Sequence, residues 1–314
     1  MANYFRITSD TSLVSDLQAG IIHTLAGFEK NMDTNHLVKK TPYRYFVDWY
    51  SVPNDGGGTA TKNDGLHSAV VSLHYAFALQ NAVDLMDVLG DTIMANQYRT
   101  RAAEIKQAVY KNCYDMDKSI FAERPDKSTY DQHTNIMAIL TDAIPEVQQK
   151  ALLIKLLDQE ELLQASYYYR YYLFKAVKKV DAQELFHKAQ EPWEIMIDDN
   201  MSTPLERFES KPRPTRSEVH PWSASPAYFY LTYLAGININ ERSKIISVKP
   251  RFGILNKMEG EMPTTYGDIQ FNFERDEKTF FMDINLTDGT SGILEYNNRR
   301  YELDEGTNTL ELNR

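Results

Sequence analysis

The sequence predicts a mainly α chain of stacked antiparallel helix pairs, followed by a small antiparallel β domain. Two patterns carry this. Apolar residues recur at three- and four-residue spacing through about nine segments between residues 10 and 235. After Gly236 the period drops to two, in Ile245–Ser247, Ile269-Phe271-Phe273 and Phe280-Met282-Ile284-Leu286. The 314 residues suffice for a large domain and a small one, placed at 1–240 and 241–314.

The first helix is expected over 10–31, with Asp10 as its cap and an apolar stripe of Leu13, Leu17, Ile21, Ile22, Leu25 and Phe28. His23 lies beside that stripe and reads as an ordinary helix histidine. Residues 39–45 form a polar connection. A long helix is expected over 64–90, with an inner stripe of Leu66, Val70, Leu73, Phe77 and Val83 and with Gly90 as its stop. His67 and His74 are seven residues apart, which on one helix places them on the same face, yet two histidines without a third ligand do not make a metal site. The next helix covers 91–114, with Ile93, Tyr98, Ala102, Ile105 and Val109 facing inward and Cys113 as a small core residue. Residues 115–128 read as a loop. Helices follow over 129–142, 145–158, 161–180 and 182–198. The third of these carries Tyr167 to Tyr169, Tyr171 and Tyr172, tyrosine all around a helix that is buried or lines a cleft. A last helix covers 222–235. Strand turns are marked by Asp288-Gly289 and Asn297-Asn298.

Two stretches stand out as sites. One is Ser202-Thr203-Pro204-Leu205-Glu206 with His220-Pro221-Trp222 fourteen residues on, a polar, aromatic and proline-broken loop between helices. Such loops, hung on a helical scaffold, carry chemistry. Taken by itself, Glu206 reads as a solvated loop carboxylate. The other is Phe46-Val47-Asp48-Trp49, ahead of the glycine-rich Pro53–Gly58. An acid beside a tryptophan reads equally as a sugar-holding pair or as a helix cap next to a core ring. The three glycines lack the Gly-Lys-Ser/Thr ending of a phosphate loop.

Composition narrows the classes. A net charge of −10 argues against a nucleic-acid binder, which needs a basic stripe. No run approaches the ~18 apolar residues of a membrane span. The single cysteine excludes an intrachain disulfide. The start lacks the apolar run of a secretory leader, which reads as cytoplasmic, with an exported parent that has lost its leader as the alternative. Twenty tyrosines and three tryptophans supply flat faces of the kind that stack on sugars or pack between helices.

These stretches, in this order, resemble the bacterial α-L-rhamnosidases of glycoside hydrolase family 78. The resemblance rests on Phe46–Trp49, Ser202–Glu206, Gly236-Ile237, Thr265-Tyr266-Gly267 and above all the run from Ser217 to Pro226. It implies an (α/α)6-type barrel followed by a β-sandwich, and inverting hydrolysis of terminal α-L-rhamnosyl bonds without an organic cofactor or a catalytic metal. It implies Glu206 as the general base, His220 and Trp222 at the sugar, and Asp48 and Trp49 in the segment that lines the rhamnose pocket. Two departures qualify it. Leu205 stands where the family has a tryptophan, and no counterpart of the family's general-acid segment is present. The expectation is therefore a chain that begins part-way through the barrel and self-associates through uncovered apolar faces. The alternative is a carbohydrate-binding remnant that lacks the general acid and does not catalyse.

Overall fold

The computed structural model describes residues 1–39, 46–49, 67–206 and 217–313. The connection at 40–45, the glycine-rich loop at 53–58 and the expected helix start at 64–66 lie outside the described residues. The chain divides into two compact units, one of residues 1–5, 10–182 and 191–223, the other of 6–9, 183–190 and 224–314.

The helices are α1 (Ala2–Thr8), α2 (Thr11–Glu29), α3 (Ala69–Val88), α4 (Thr92–Cys113), α5 (Gln132–Thr141), α6 (Glu146–Asp158), α7 (Arg170–Lys179), α8 (Phe186–Gln190), α9 (Glu194–Asp198) and α10 (Ser225–Phe229). Caps set several of the starts. Asp10 accepts from the amides of Ser12 and Leu13, Asp91 from Met94, and Asp131 from Thr134. Gly90, at φ +77°, ends the α3 turn.

In the first unit α3 packs against α2, α4 and α5, and α5 against α6 and α7. All ten residues of α5 are buried, so it is the central helix of this unit. The expected stripe of α4 is inside except for Ile93, which is 71% exposed. The α2 stripe is only partly inside: Leu25 is buried, Leu13, Ile21, Ile22 and Phe28 are half-buried, and Leu17 is exposed. Val14, outside the expected stripe, is also buried; α2 packs against α3, and its Glu29 pairs with Arg101 of α4 at 2.5 Å. His23 is exposed. Cys113 is fully buried, and burial pushes its thiol up to about 12.

Five expected elements differ, one being the helix expected over 222–235, which is split into a 3-10 turn at Pro221–Ser223, the short α10 and a π-helical turn at Tyr230–Leu234. His67 precedes α3 and pairs with Asp33 at 2.9 Å, so it shares no helix face with His74. Within 115–128 a two-stranded hairpin forms, β1 (Tyr114–Asp115) with β2 (Ile120–Phe121). The helix expected over 161–180 starts only at Arg170. Before it, the chain is drawn alongside 130–132: the Leu163 amide bonds the Tyr130 carbonyl, and the Gln132 amide bonds the Leu163 carbonyl. The Tyr167–Tyr169 stretch is thus a turn rather than a helix. The helix expected over 182–198 is broken into α8 and α9 by a 3-10 turn at Glu191–Trp193, where Pro192 has no amide to donate.

In the second unit the chain passes from α10 through a π-helical turn, Tyr230–Leu234, to Gly236 and the strands. These are β3 (Ile237–Asn240), β4 (Ile245–Val248), β5 (Lys257–Thr264), β6 (Gly267–Arg275), β7 (Thr279–Leu286), β8 (Ser291–Tyr296), β9 (Arg299–Leu303) and β10 (Gly306–Asn313). They form two four-stranded sheets, β10-β7-β6-β5 and β3-β4-β8-β9. Every pair is antiparallel but one, β4 with β8, which is parallel. Alternate residues Ile269, Phe271, Phe273, Phe280, Met282, Ile284 and Leu286 are buried, as a half-buried sheet requires. Among the described residues no helix is long and apolar enough to cross a membrane.

Candidate active site

Both stretches singled out from sequence lie in the first unit. After α9 the chain turns back, with the Met201 amide on the Met196 carbonyl at 2.8 Å. Residues 203–206 then run beside 217–220. The Glu206 amide donates to the Ser217 carbonyl at 3.1 Å, the His220 amide to the Pro204 carbonyl at 2.9 Å, and the Thr203 hydroxyl to the Glu218 carbonyl. This cross-tie sets the segment that ends at Glu206 beside the segment that ends at His220. Leu205 anchors it. Its side chain is fully buried with Tyr167 and Met196, and Trp193, Ile195 and Met201 pack around them. An aliphatic side chain thus fills the position where the sequence resemblance leads one to expect a tryptophan. Glu206 is only 4% exposed, so it is a buried carboxylate and not a solvated loop acid.

From the cross-tie a run of rings leads away. The His220 ring lies 4.0 Å from that of Trp222, and its Nδ1 is 3.2 Å from the Ser217 hydroxyl. Trp222 in turn meets Tyr168 at 5.1 Å between centroids. Among the described residues, the buried Trp222 Nε1 has no hydrogen-bond acceptor. Trp193 ties this segment down by donating from Nε1 to the Ser223 carbonyl at 2.8 Å.

Asp48 occupies the other arm and is fully buried. Its Oδ2 is 2.6 Å from His133 Nε2 and accepts from the Ser166 amide at 2.8 Å, while Oδ1 accepts from the Ser166 hydroxyl. Trp49 is partly exposed and meets Phe46 edge-on at 5.1 Å. The polar cluster continues inward. The His133 ring packs 4.4 Å from Tyr169, whose hydroxyl is 2.6 Å from His74 Nε2. Burial and the nearby His133 hold His74 down to about 4. Burial raises Asp131 above the usual carboxylate range, and among the described residues its Oδ2 has no partner. Burial also lowers Arg170 to about 10, against the attraction of Tyr167, Glu191 and Asp48. Burial and the charge of Asp48 raise Tyr168.

The structure therefore brings Glu206, His220 and Trp222 into one cross-tied group. It joins Asp48 and Trp49 to that group through Ser166 and, two residues on, Tyr168. Sequence reading missed His133, Ser166 and Tyr168. The tyrosine run was a visible signal, but its reading as a helix hid which of its rings meets Trp222. Among the described residues no three of His, Cys, Asp and Glu converge as a metal ion would need.

The sequence matches a family model described as the bacterial alpha-L-rhamnosidase 6 hairpin glycosidase domain over residues 1–234. Solved structures share the fold. The GH78 family rhamnosidase of Bacillus sp. GL1 aligns with a TM-score of 0.73 at 18% identity, over 87% of this chain and 30% of that one. The α-L-rhamnosidase of Dictyoglumus thermophilum aligns at 0.76 and 17% identity, over 100% of this chain and 39% of that one. That of Streptomyces avermitilis, complexed with L-rhamnose, aligns at 0.73 and 16% identity, over 98% and 32%. This chain thus spans between 30% and 39% of the length of these three structures. No curated protein matches the sequence.

Proposed function

The chain belongs to the bacterial α-L-rhamnosidase six-hairpin glycosidase family, and from that membership we propose that it hydrolyses terminal α-L-rhamnosyl bonds with inversion, with Glu206 as general base. The observation that supports this reading best is the burial of Glu206 in a backbone cross-tie that also fixes His220 and leads to Trp222. The cross-tie holds the backbone of Glu206 before substrate arrives, which favours the positioning that a proton acceptor needs.

In this reading Glu206 takes a proton from a water molecule whose oxygen attacks the anomeric carbon. The glycosidic C–O bond breaks, and the departing oxygen receives a proton from a general acid on the opposite side of the sugar, a role to which no residue of this chain is assigned. In inverting enzymes the two carboxyl groups stand ~6.5–9.5 Å apart to admit that water. Trp222 and Trp49 offer flat apolar faces to the pyranose, and His220 a hydrogen bond to a sugar hydroxyl. The complex of the Streptomyces avermitilis enzyme with L-rhamnose supports this sugar as the probe.

The test is proton NMR of the first product released from an aryl α-L-rhamnoside. β-L-Rhamnose as the initial anomer supports the reading, and the α anomer contradicts inversion. Calorimetric binding of rhamnose without turnover would make the chain a carbohydrate-binding remnant. Turnover of other aryl glycosides only would move it to another sugar.

A further inference from the structure

We propose that Asp48 is a positioning residue and not a sugar ligand: His133 and Ser166 clamp its carboxylate, and the clamp fixes Trp49, the next residue, in place. The proposal rests on the reading of Trp49 as a wall of the sugar pocket.

The geometry argues first against direct contact. A carboxylate offers about four lone-pair directions. In Asp48 three are taken by His133 Nε2, the Ser166 amide and the Ser166 hydroxyl. The residue has no exposed surface, so a probe the size of water does not reach it, and a sugar hydroxyl needs the same access.

The partners then argue for a clamp. They lie 85 and 118 residues away in sequence, so the contact joins segments that no local structure would join. His133 stands on α5, where every residue is buried. Its ring is backed by Tyr169, which is bonded to His74 on α3. Ser166 precedes Tyr168, the ring that meets Trp222. One buried anion therefore gathers α5, the turn before α7 and the Phe46–Trp49 segment. Hydrogen bonds to an ionised acceptor are the strong ones, and a buried anion keeps them or loses its folded position.

The experiment compares His133→Leu, His133→Gln, Ser166→Ala and Asp48→Asn with the wild-type chain. Amide hydrogen exchange at Val47 to Trp49 is read alongside calorimetric binding of L-rhamnose. His133→Leu removes the donor and is expected to speed exchange at these amides at least tenfold and to weaken rhamnose binding to a similar extent. His133→Gln offers Nε2–H at a comparable reach and is expected to bring both within threefold of wild type. Ser166→Ala, the milder change, is expected to speed exchange about threefold and keeps the test alive should His133→Leu not fold. Unaltered exchange in His133→Leu, or in Ser166→Ala where the former does not fold, overturns the proposal. So does an Asp48→Asn variant that loses rhamnose binding while exchange stays slow, because Asp48 would then touch the sugar itself. A wild-type chain that binds no rhamnose defeats the pocket reading, and the exchange data still decide the clamp.

Discussion

Tyr168 and Trp222 meet with their ring centroids 5.1 Å apart and their planes at 43°. This contact joins the two arms of the site, since Tyr168 follows the residue pair that begins at the Asp48-binding Ser166, and Trp222 follows the cross-tie that holds Glu206. Aromatic pairs of this kind contribute ~0.5–1.5 kcal/mol beyond burial. Tyr168→Ala is therefore expected to weaken rhamnose binding by roughly three- to tenfold, and Tyr168→Phe, which keeps the ring, by about twofold or less. Calorimetry checks both. Equal affinity in all three proteins would show that the ring contact does not shape the pocket.

Leu205 is fully buried beside Tyr167 and Met196. Leu205→Ala is expected to cost ~2–5 kcal/mol in urea unfolding, the range for emptying a core leucine. Leu205→Met nearly conserves volume and should cost less than ~1.5 kcal/mol. Because Glu206 is the next residue, the alanine variant should also lose catalytic rate at a temperature where it remains folded. Full rate in that variant would separate the anchor from the carboxylate.

His74 gives the stability a pH dependence of definite sign. Its pKa falls from 6.5 to about 4 on folding. Below 6.5 the unfolded chain takes up a proton that the folded chain refuses until about 4. The contribution of His74 is thus fully present above 6.5 and is lost as pH falls towards 4, by up to about 3 kcal/mol. His74→Gln keeps a hydrogen-bonding group opposite the Tyr169 hydroxyl and removes the titration. Denaturation midpoints measured between these pH values should show a shallower fall in the variant. An unchanged slope would mean that His74 titrates normally.

Gly236 sits at φ +71°, and a Cβ there would lie 1.9 Å from the Lys249 carbonyl oxygen. Both the backbone angle and the contact exclude a side chain, and the site opens strand β3. Gly236→Ala is expected to lose roughly 3 kcal/mol or more of stability, read as a lowered thermal midpoint of the strand-bearing unit.

What was legible in the sequence was what local chemistry decides. Asp10 caps α2, Gly90 and Gly236 take positive φ, and the period-two run from Phe280 to Leu286 forms β7 with its alternate residues inside. Pro192 was equally legible as a break, but the apolar period on either side of it hid the 3-10 turn. What local pattern does not carry is pairing at a distance. Residues 161–169 have a helical composition, yet their backbone is claimed by Tyr130 and Gln132. The parallel pair β4–β8 joins residues 46 apart in sequence, such as Ile245 and Ser291. The site divides in the same way. Glu206, His220 and Trp222 stand in one recognisable run, whereas the partners of Asp48 come from two remote segments that no spacing rule connects.

The most direct test of the central claim is the rate of aryl α-L-rhamnoside hydrolysis by Glu206→Gln, measured with its rhamnose affinity. Loss of the general base is expected to lower kcat by ~10²–10⁴, with rhamnose affinity within threefold of wild type. A variant that turns over within about threefold of the wild-type rate, where general-base catalysis supplies at least ~10², would contradict the assignment of Glu206 as the base.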